Sequence, residues 1–133
     1  MTDNDAVLAA NLEFYRAFAA RDIVAMDTLW ARRSPVTCVH PGWTALRDRE
    51  SVMGSWHGIL SNPDAPRIAC FDEQVFVHGD TALVLCEEEI EGGTLMASNL
   101  FLREDGAWRL VHHHAGQIVT RQAEHRRRPS RLN

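Results

Sequence analysis

The sequence predicts an α+β domain in which three N-terminal helices pack on one face of a curved antiparallel sheet. Three observations carry that expectation. Apolar residues recur at helical spacing as far as Leu60, and from Arg67 onward β-prone runs replace that spacing. His78-Gly79-Asp80, Gly92-Gly93 and Asp105-Gly106 then divide the second half as hairpin turns do. Finally, a chain of 133 residues with 45% hydrophobic content is long enough to bury one core, and no internal repeat or domain boundary interrupts it.

Residues 5–20 form the first predicted helix. Leu8, Leu12, Tyr15 and Ala19 make one stripe, widened by Val7, Phe14 and Phe18, at a period near 3.6. Arg21-Asp22 ends it, and Asp22 is suited to cap a short second helix whose apolar face is Ile23, Met26, Leu29 and Trp30. Arg32-Arg33-Ser34-Pro35 closes that helix, because the residue before a proline avoids helical backbone. Val36 to His40 reads as a short strand stopped by Pro41-Gly42. A third helix starts near Asp48 and shows Val52, Met53, Trp56, Ile59 and Leu60 on one side. Gly54 and Gly58 each weaken it by about 1 kcal/mol relative to alanine, so close packing against a neighbour is expected there. Beyond the Ser61–Pro66 loop, strands are expected at 67–78, 81–91, 94–103 and 107–119.

The charge distribution narrows the function classes. Residues 1–120 hold nine arginines against 17 acidic residues, whereas residues 121–133 hold five arginines and one glutamate. An acidic body is not a nucleic-acid surface, so no nucleic-acid partner is expected. Residues 121–133 read as a basic, solvated and mobile tail. The chain has no lysine, which excludes Schiff-base chemistry and a phosphate-loop lysine. Its three cysteines are widely spaced inside apparent strands, which suits buried thiols better than a disulfide framework or zinc knuckle. No apolar run approaches a membrane span and the N-terminus is acidic, so a cytoplasmic location without a membrane partner is expected.

Specific residues carry a family resemblance. Leu29-Trp30, Val39-His40-Pro41-Gly42-Trp43, and the run from Arg103 through Trp108 to His112-His113-His114 are similar to the SnoaL-like group of the nuclear transport factor 2-like superfamily. They also resemble the association domain of the calcium/calmodulin-dependent kinase. The resemblance covers roughly residues 5–120 and suggests a single domain over residues 1–120. It implies a cone-shaped, cystatin-like fold, with the three helices on the concave face of the sheet and a conical pocket between them. It further implies a small-molecule ligand in that pocket and a homodimer through the outer sheet face. It implies no single activity, because the superfamily includes isomerases, cyclases, dehydratases, hydrolases and assembly domains.

The candidate site residues follow from strand parity and from that resemblance. In the last strand, simple alternation puts Trp108, Leu110, His112 and His114 on one face and Arg109, Val111, His113 and Ala115 on the other. Periodicity leaves open which face is inward. The kinase domain lines its pocket from the parity of Val111, His113 and Ala115, which implies an inward His113, suited to proton transfer at neutral pH. The other reading is three structural histidines. A His-x-His pair on one face would need a third ligand to hold a metal, and no second pair at ligand spacing exists, so no metal is expected.

Glu87-Glu88-Glu89 turns an apolar strand abruptly acidic, and the same resemblance implies that Glu87 and Glu89 point inward as acid or base groups. A charged strand end protecting the sheet is the alternative. Asn99 interrupts an apolar run on the face of Ala97 and Phe101, where a kinase-domain pocket arginine would lie. Its expected role is a hydrogen bond to a developing oxyanion, worth about 3 kcal/mol when fully formed. Tyr15, His40, Trp43, Trp56, Phe101 and Val111 complete the expected pocket wall. Two functions are thus open. One is a cofactor-free acid/base enzyme of isomerase, dehydratase, cyclase or hydrolase type acting on an apolar metabolite. The other is a non-catalytic binding or dimerisation module.

Overall fold

The computed structural model describes residues 1–120, so the arginine-rich segment expected as a mobile tail lies outside the described residues. Helix α1 (Asp3–Ala20) begins two residues before its apolar stripe suggests. The reason is local: Thr2 Oγ1 accepts from the Asp5 backbone N–H, and the Asp5 carboxylate accepts from the Thr2 N–H. Such a capping box satisfies two otherwise orphaned donors and stabilises the helix by about 1 kcal/mol. Arg21, left-handed at φ 55°, ends it. Asp22 caps α2 (Ile23–Leu29) and Asp48 caps α3 (Arg49–Ser61), each through its carboxylate and a backbone N–H.

Five strands make one sheet in the order β1-β5-β4-β3-β2. They are β1 (Thr37–Val39), β2 (Ala69–His78), β3 (Thr81–Ile90), β4 (Gly93–Glu104) and β5 (Ala107–Gln117). The last four form the antiparallel meander, and β1 adds to its edge in parallel, with Thr37 opposite His112. All three helices cover one face of this curved sheet, giving the expected α+β cone. Phe14, Trp30, Trp56 and Phe101 are fully buried between the layers. Phe14 meets Tyr15 and Trp56 edge-on, at centroid distances of 4.8 and 5.4 Å. Truncating an aromatic ring in such a position costs about 3–5 kcal/mol.

Two irregularities decide where side chains point. In β5, Leu110 pairs with Phe101 and His112 with Leu100, so Val111 is an extra residue in the ladder. A bulge of this kind reverses the alternation of the strand beyond it. In β2 the register slips between Phe71 and Gln74, around Asp72 at φ 60°. One expectation about packing fails: a Cβ added at Gly54 or Gly58 would meet nothing, because both glycines lie on the exposed side of α3. No described helix is long and apolar enough to cross a membrane.

Candidate active site

A cavity of about 340 Å³ lies between the helices and the sheet. Its walls are apolar, part aromatic and part aliphatic: Phe18, Trp43, Trp56, Ile59, Ile90 and Leu95 contribute. The polar side chains facing it are Glu88, His113 and His40, all buried.

Glu88 reaches the cavity because its parity continues that of the buried Ala82, Val84 and Cys86 on β3. Its neighbours across the ladder are Cys70 and Leu95. The expectation of inward Glu87 and Glu89 is therefore wrong. Both lie on the opposite face, where Glu87 pairs with Phe71 and Met96, and Glu89 is exposed. Sequence alternation could not orient this strand, because residues 82–86 are apolar on both faces. The signal for Glu88 was parity with Cys86, a small residue on the more deeply buried side.

Glu88 is only 2% exposed, and burial pushes its carboxyl up to about 7. A 2.5 Å hydrogen bond donated by Tyr15 Oη to Glu88 Oε2 opposes that rise but is the smaller effect. Tyr15 is in turn fixed by Asn99 Nδ2, which donates to Tyr15 Oη at 3.2 Å and to Asn11 Oδ1 at 2.9 Å. The Asn99 amide nitrogen thus has both hydrogens engaged, so its oxygen must be the arm 2.5 Å from His113 Nδ1. That contact requires a hydrogen on His113 Nδ1 and leaves Nε2 as a lone-pair acceptor. His113 Nε2 stands 3.9 Å from Glu88 Oε2. Desolvation lowers the His113 pKa to about 3, with the nearby His40 adding to the effect. Between about pH 3 and 7 the two groups therefore face one another uncharged rather than as an ion pair.

His40 follows β1, the strand beside β5, and its ring centroid lies 6.4 Å from that of His113. It packs edge-on against Trp43 and Trp56, each at 4.9 Å. Burial lowers its pKa to about 4. Trp43 follows the Pro41-Gly42 turn and is 51% exposed, at the rim of the cavity. Trp56 forms part of the inner wall, and its indole N–H is buried without a hydrogen-bond partner.

The remaining expected residues fall elsewhere. His113 points inward with Leu110 and Ala115, because the Val111 bulge reverses the parity that simple alternation assigns. Val111 is only half-buried and does not line the cavity. Phe101 belongs to the core beyond the cavity, and Tyr15 stands behind its wall, touching Glu88. Asn99 is fully buried with all its hydrogen-bonding arms engaged, so it is placed to orient Tyr15 and His113 rather than to meet an oxyanion. Sequence reading missed Asn11 and Phe18 as members of this arrangement. Asn11 lies on the α1 stripe as an apparent polar interruption, which was the available sign. His112 and His114 share the outer face with perpendicular rings, and Thr37 Oγ1 lies 2.6 Å from His112 Nδ1. Among the described residues no group of three or more His, Cys, Asp or Glu side chains gathers as a metal site.

Comparison with known proteins agrees with this architecture. The SnoaL-like domain family matches residues 7–120. A proposed dehydratase of the NTF2-like family from Streptomyces avermitilis is 34% identical, with TM-score 0.81 over 89% of this chain and 97% of that one. A proposed calcium/calmodulin-dependent protein kinase type II association domain from Thiobacillus denitrificans is 28% identical, with TM-score 0.75 over 84% and 94%. The F-box protein SKIP8 of Arabidopsis thaliana is 25% identical over 116 residues, 86% of this chain. The chain spans half the length of that plant relative. With a family match over most of its length, the chain belongs to the SnoaL-like family of nuclear transport factor 2-like folds.

Proposed function

We propose that this domain is a cofactor-free acid/base enzyme that eliminates water from a small, largely apolar molecule bound in the cavity. The observation that carries this reading is the pairing of Glu88 with His113 at 3.9 Å. One group holds a proton up to about pH 7, and the other stays unprotonated down to about pH 3. An acid and a base side by side in a largely apolar cavity suit a reaction that removes one proton and delivers another. His113 Nε2 takes the proton from carbon, and the electron pair forms the new double bond. The Glu88 carboxyl protonates the departing hydroxyl, which leaves as water. Because Oε2 accepts from Tyr15, the acid proton sits on Oε1. Asn11, Asn99 and Tyr15 hold both groups in place. Of the reactions open to this family, dehydration draws further support from the 34% identical Streptomyces protein proposed as a dehydratase.

The test is turnover of a panel of small β-hydroxy ketones, followed by loss of hydroxyl and gain of conjugated absorbance. Glu88→Gln and His113→Asn should each slow it by at least about 100-fold. If both variants keep the parent rate on a substrate the parent converts, the reading fails.

A second reading is assembly. Phe76 and Met96 are large apolar side chains exposed on the outer sheet face. The resemblance to the kinase association domain fits a homodimer through that face. The two readings are compatible, since the cavity and the outer face lie on opposite sides of the sheet.

A further inference from the structure

The polar groups around the cavity differ in what they offer a ligand. His113 has its Nδ1 hydrogen committed to Asn99 Oδ1, which leaves Nε2 as an acceptor. His40 is fixed in the opposite tautomer. Ser55 Oγ donates to the Val52 carbonyl at 2.6 Å, so toward His40 Nε2, 2.9 Å away, it acts as an acceptor. The His40 hydrogen is therefore on Nε2, and Nδ1 carries the lone pair. Cys38 Sγ lies 3.9 Å from that Nδ1, a long sulfur contact that satisfies it poorly. The cavity thus presents two neutral imidazoles from neighbouring strands of one sheet, beside one carboxyl and the unpaired indole N–H of Trp56. Among the described residues no cationic side chain lines it.

From this arrangement we infer that the cavity selects uncharged molecules bearing a hydroxyl group, of phenol, enol or alcohol type, and rejects carboxylates and other anions. A hydroxyl both donates and accepts. It can give its hydrogen to an imidazole lone pair and take one from the protonated Glu88 carboxyl. An ether or a lone carbonyl only accepts, and leaves the imidazoles without a partner in a buried site. An anion finds no counter-charge among the described residues and meets Glu88 as it ionises. The lowered pKa values of His40 and His113 agree, since neither ring becomes a cation in the neutral range. The cavity volume, at the small end of the range for ligand sites, suits one or two fused rings. This inference deepens the proposed function by naming its substrate class and rests on the same cavity.

Calorimetric titration of the full chain at pH 6 with 2-naphthol, 2-methoxynaphthalene and 2-naphthoate tests it. The three probes share a ring system and differ in donor capacity and charge. 2-Naphthol should bind at least about tenfold more tightly than the methyl ether, the cost of a buried unpaired acceptor, and 2-naphthoate should not bind. Equal affinity for the ether, tighter binding of the carboxylate, or no binding of 2-naphthol overturns the inference. Imidazole nitrogen-15 shifts give an independent reading: hydrogen on Nδ1 of His113 and on Nε2 of His40 is expected, and the reverse tautomers overturn the argument. Retained selectivity with no turnover of any hydroxy ketone would sink the dehydration reading alone.

Discussion

Tyr15 donates a 2.5 Å hydrogen bond to Glu88, yet the Glu88 carboxyl still ionises only near pH 7. A short bond to the charged form should lower a carboxyl pKa, so here the cost of stripping water from the carboxylate outweighs it. The pair behaves as a tuned acid: desolvation sets the range, and Tyr15 trims it.

Removing the phenol hydroxyl should therefore raise the Glu88 pKa further. In Tyr15→Phe the midpoint measured by carbon-13 NMR of the glutamate carboxyl moves above 7, and the alkaline limb of any pH–rate profile moves with it. A midpoint that falls would mean the hydrogen bond favours the neutral acid instead.

Activity that needs protonated Glu88 and neutral His113 should run flat between about pH 4 and 6 and decline above 7. The acidic limb belongs to His113, whose pKa is near 3, so it is reached only where the fold itself begins to weaken. A bell centred above pH 8 would contradict these roles.

Stability should respond to pH through the same groups, with opposing signs. His113 and His40 have folded pKa values below their ordinary 6.5, so their contribution is complete above 6.5 and is lost as pH falls toward 3–4. Glu88 has a raised folded pKa, so its contribution is complete below 4.5 and is lost as pH rises through 7. Two depressed histidines outweigh one raised carboxyl. Denaturant midpoints should therefore fall between pH 6.5 and 4, and more steeply in Glu88→Gln, which lacks the opposing group.

Asn99→Leu leaves Asn11 Oδ1 and His113 Nδ1 buried without their shared partner. At about 1–3 kcal/mol for each of the two unsatisfied groups, urea unfolding should show a loss of roughly 2–6 kcal/mol. A loss below 1 kcal/mol would show that water or a neighbour replaces the amide.

Gly54→Ala and Gly58→Ala should each stabilise the domain by about 0.5–1 kcal/mol, because the added methyl group meets open space on a helix face and removes backbone freedom from the unfolded chain. A thermal melt reads this as a rise of a few degrees per substitution. A fall would indicate that the exposed face of α3 is covered in solution.

The sequence alone determined the layout of this protein. Helical spacing up to Leu60, turn residues at Gly79, Gly92 and Gly106, and caps at Asp22 and Asp48 act over a few residues, so they are legible in one dimension. Together with the motifs around Trp43 and Trp108, they also placed the chain in its family. What only the tertiary structure decided was which side chains meet. The cavity glutamate is Glu88 because β3 is apolar on both faces, and only packing against α1 orients it. His113 shares a face with Leu110 because one extra residue at Val111 shifts the ladder. The partner that engages Asn99 is Asn11, 88 residues away. Alternation has a period of two, so a single bulge or an ambiguous face inverts every assignment beyond it. Local chemistry sets the elements, whereas the parity of each strand is settled only by what it packs against.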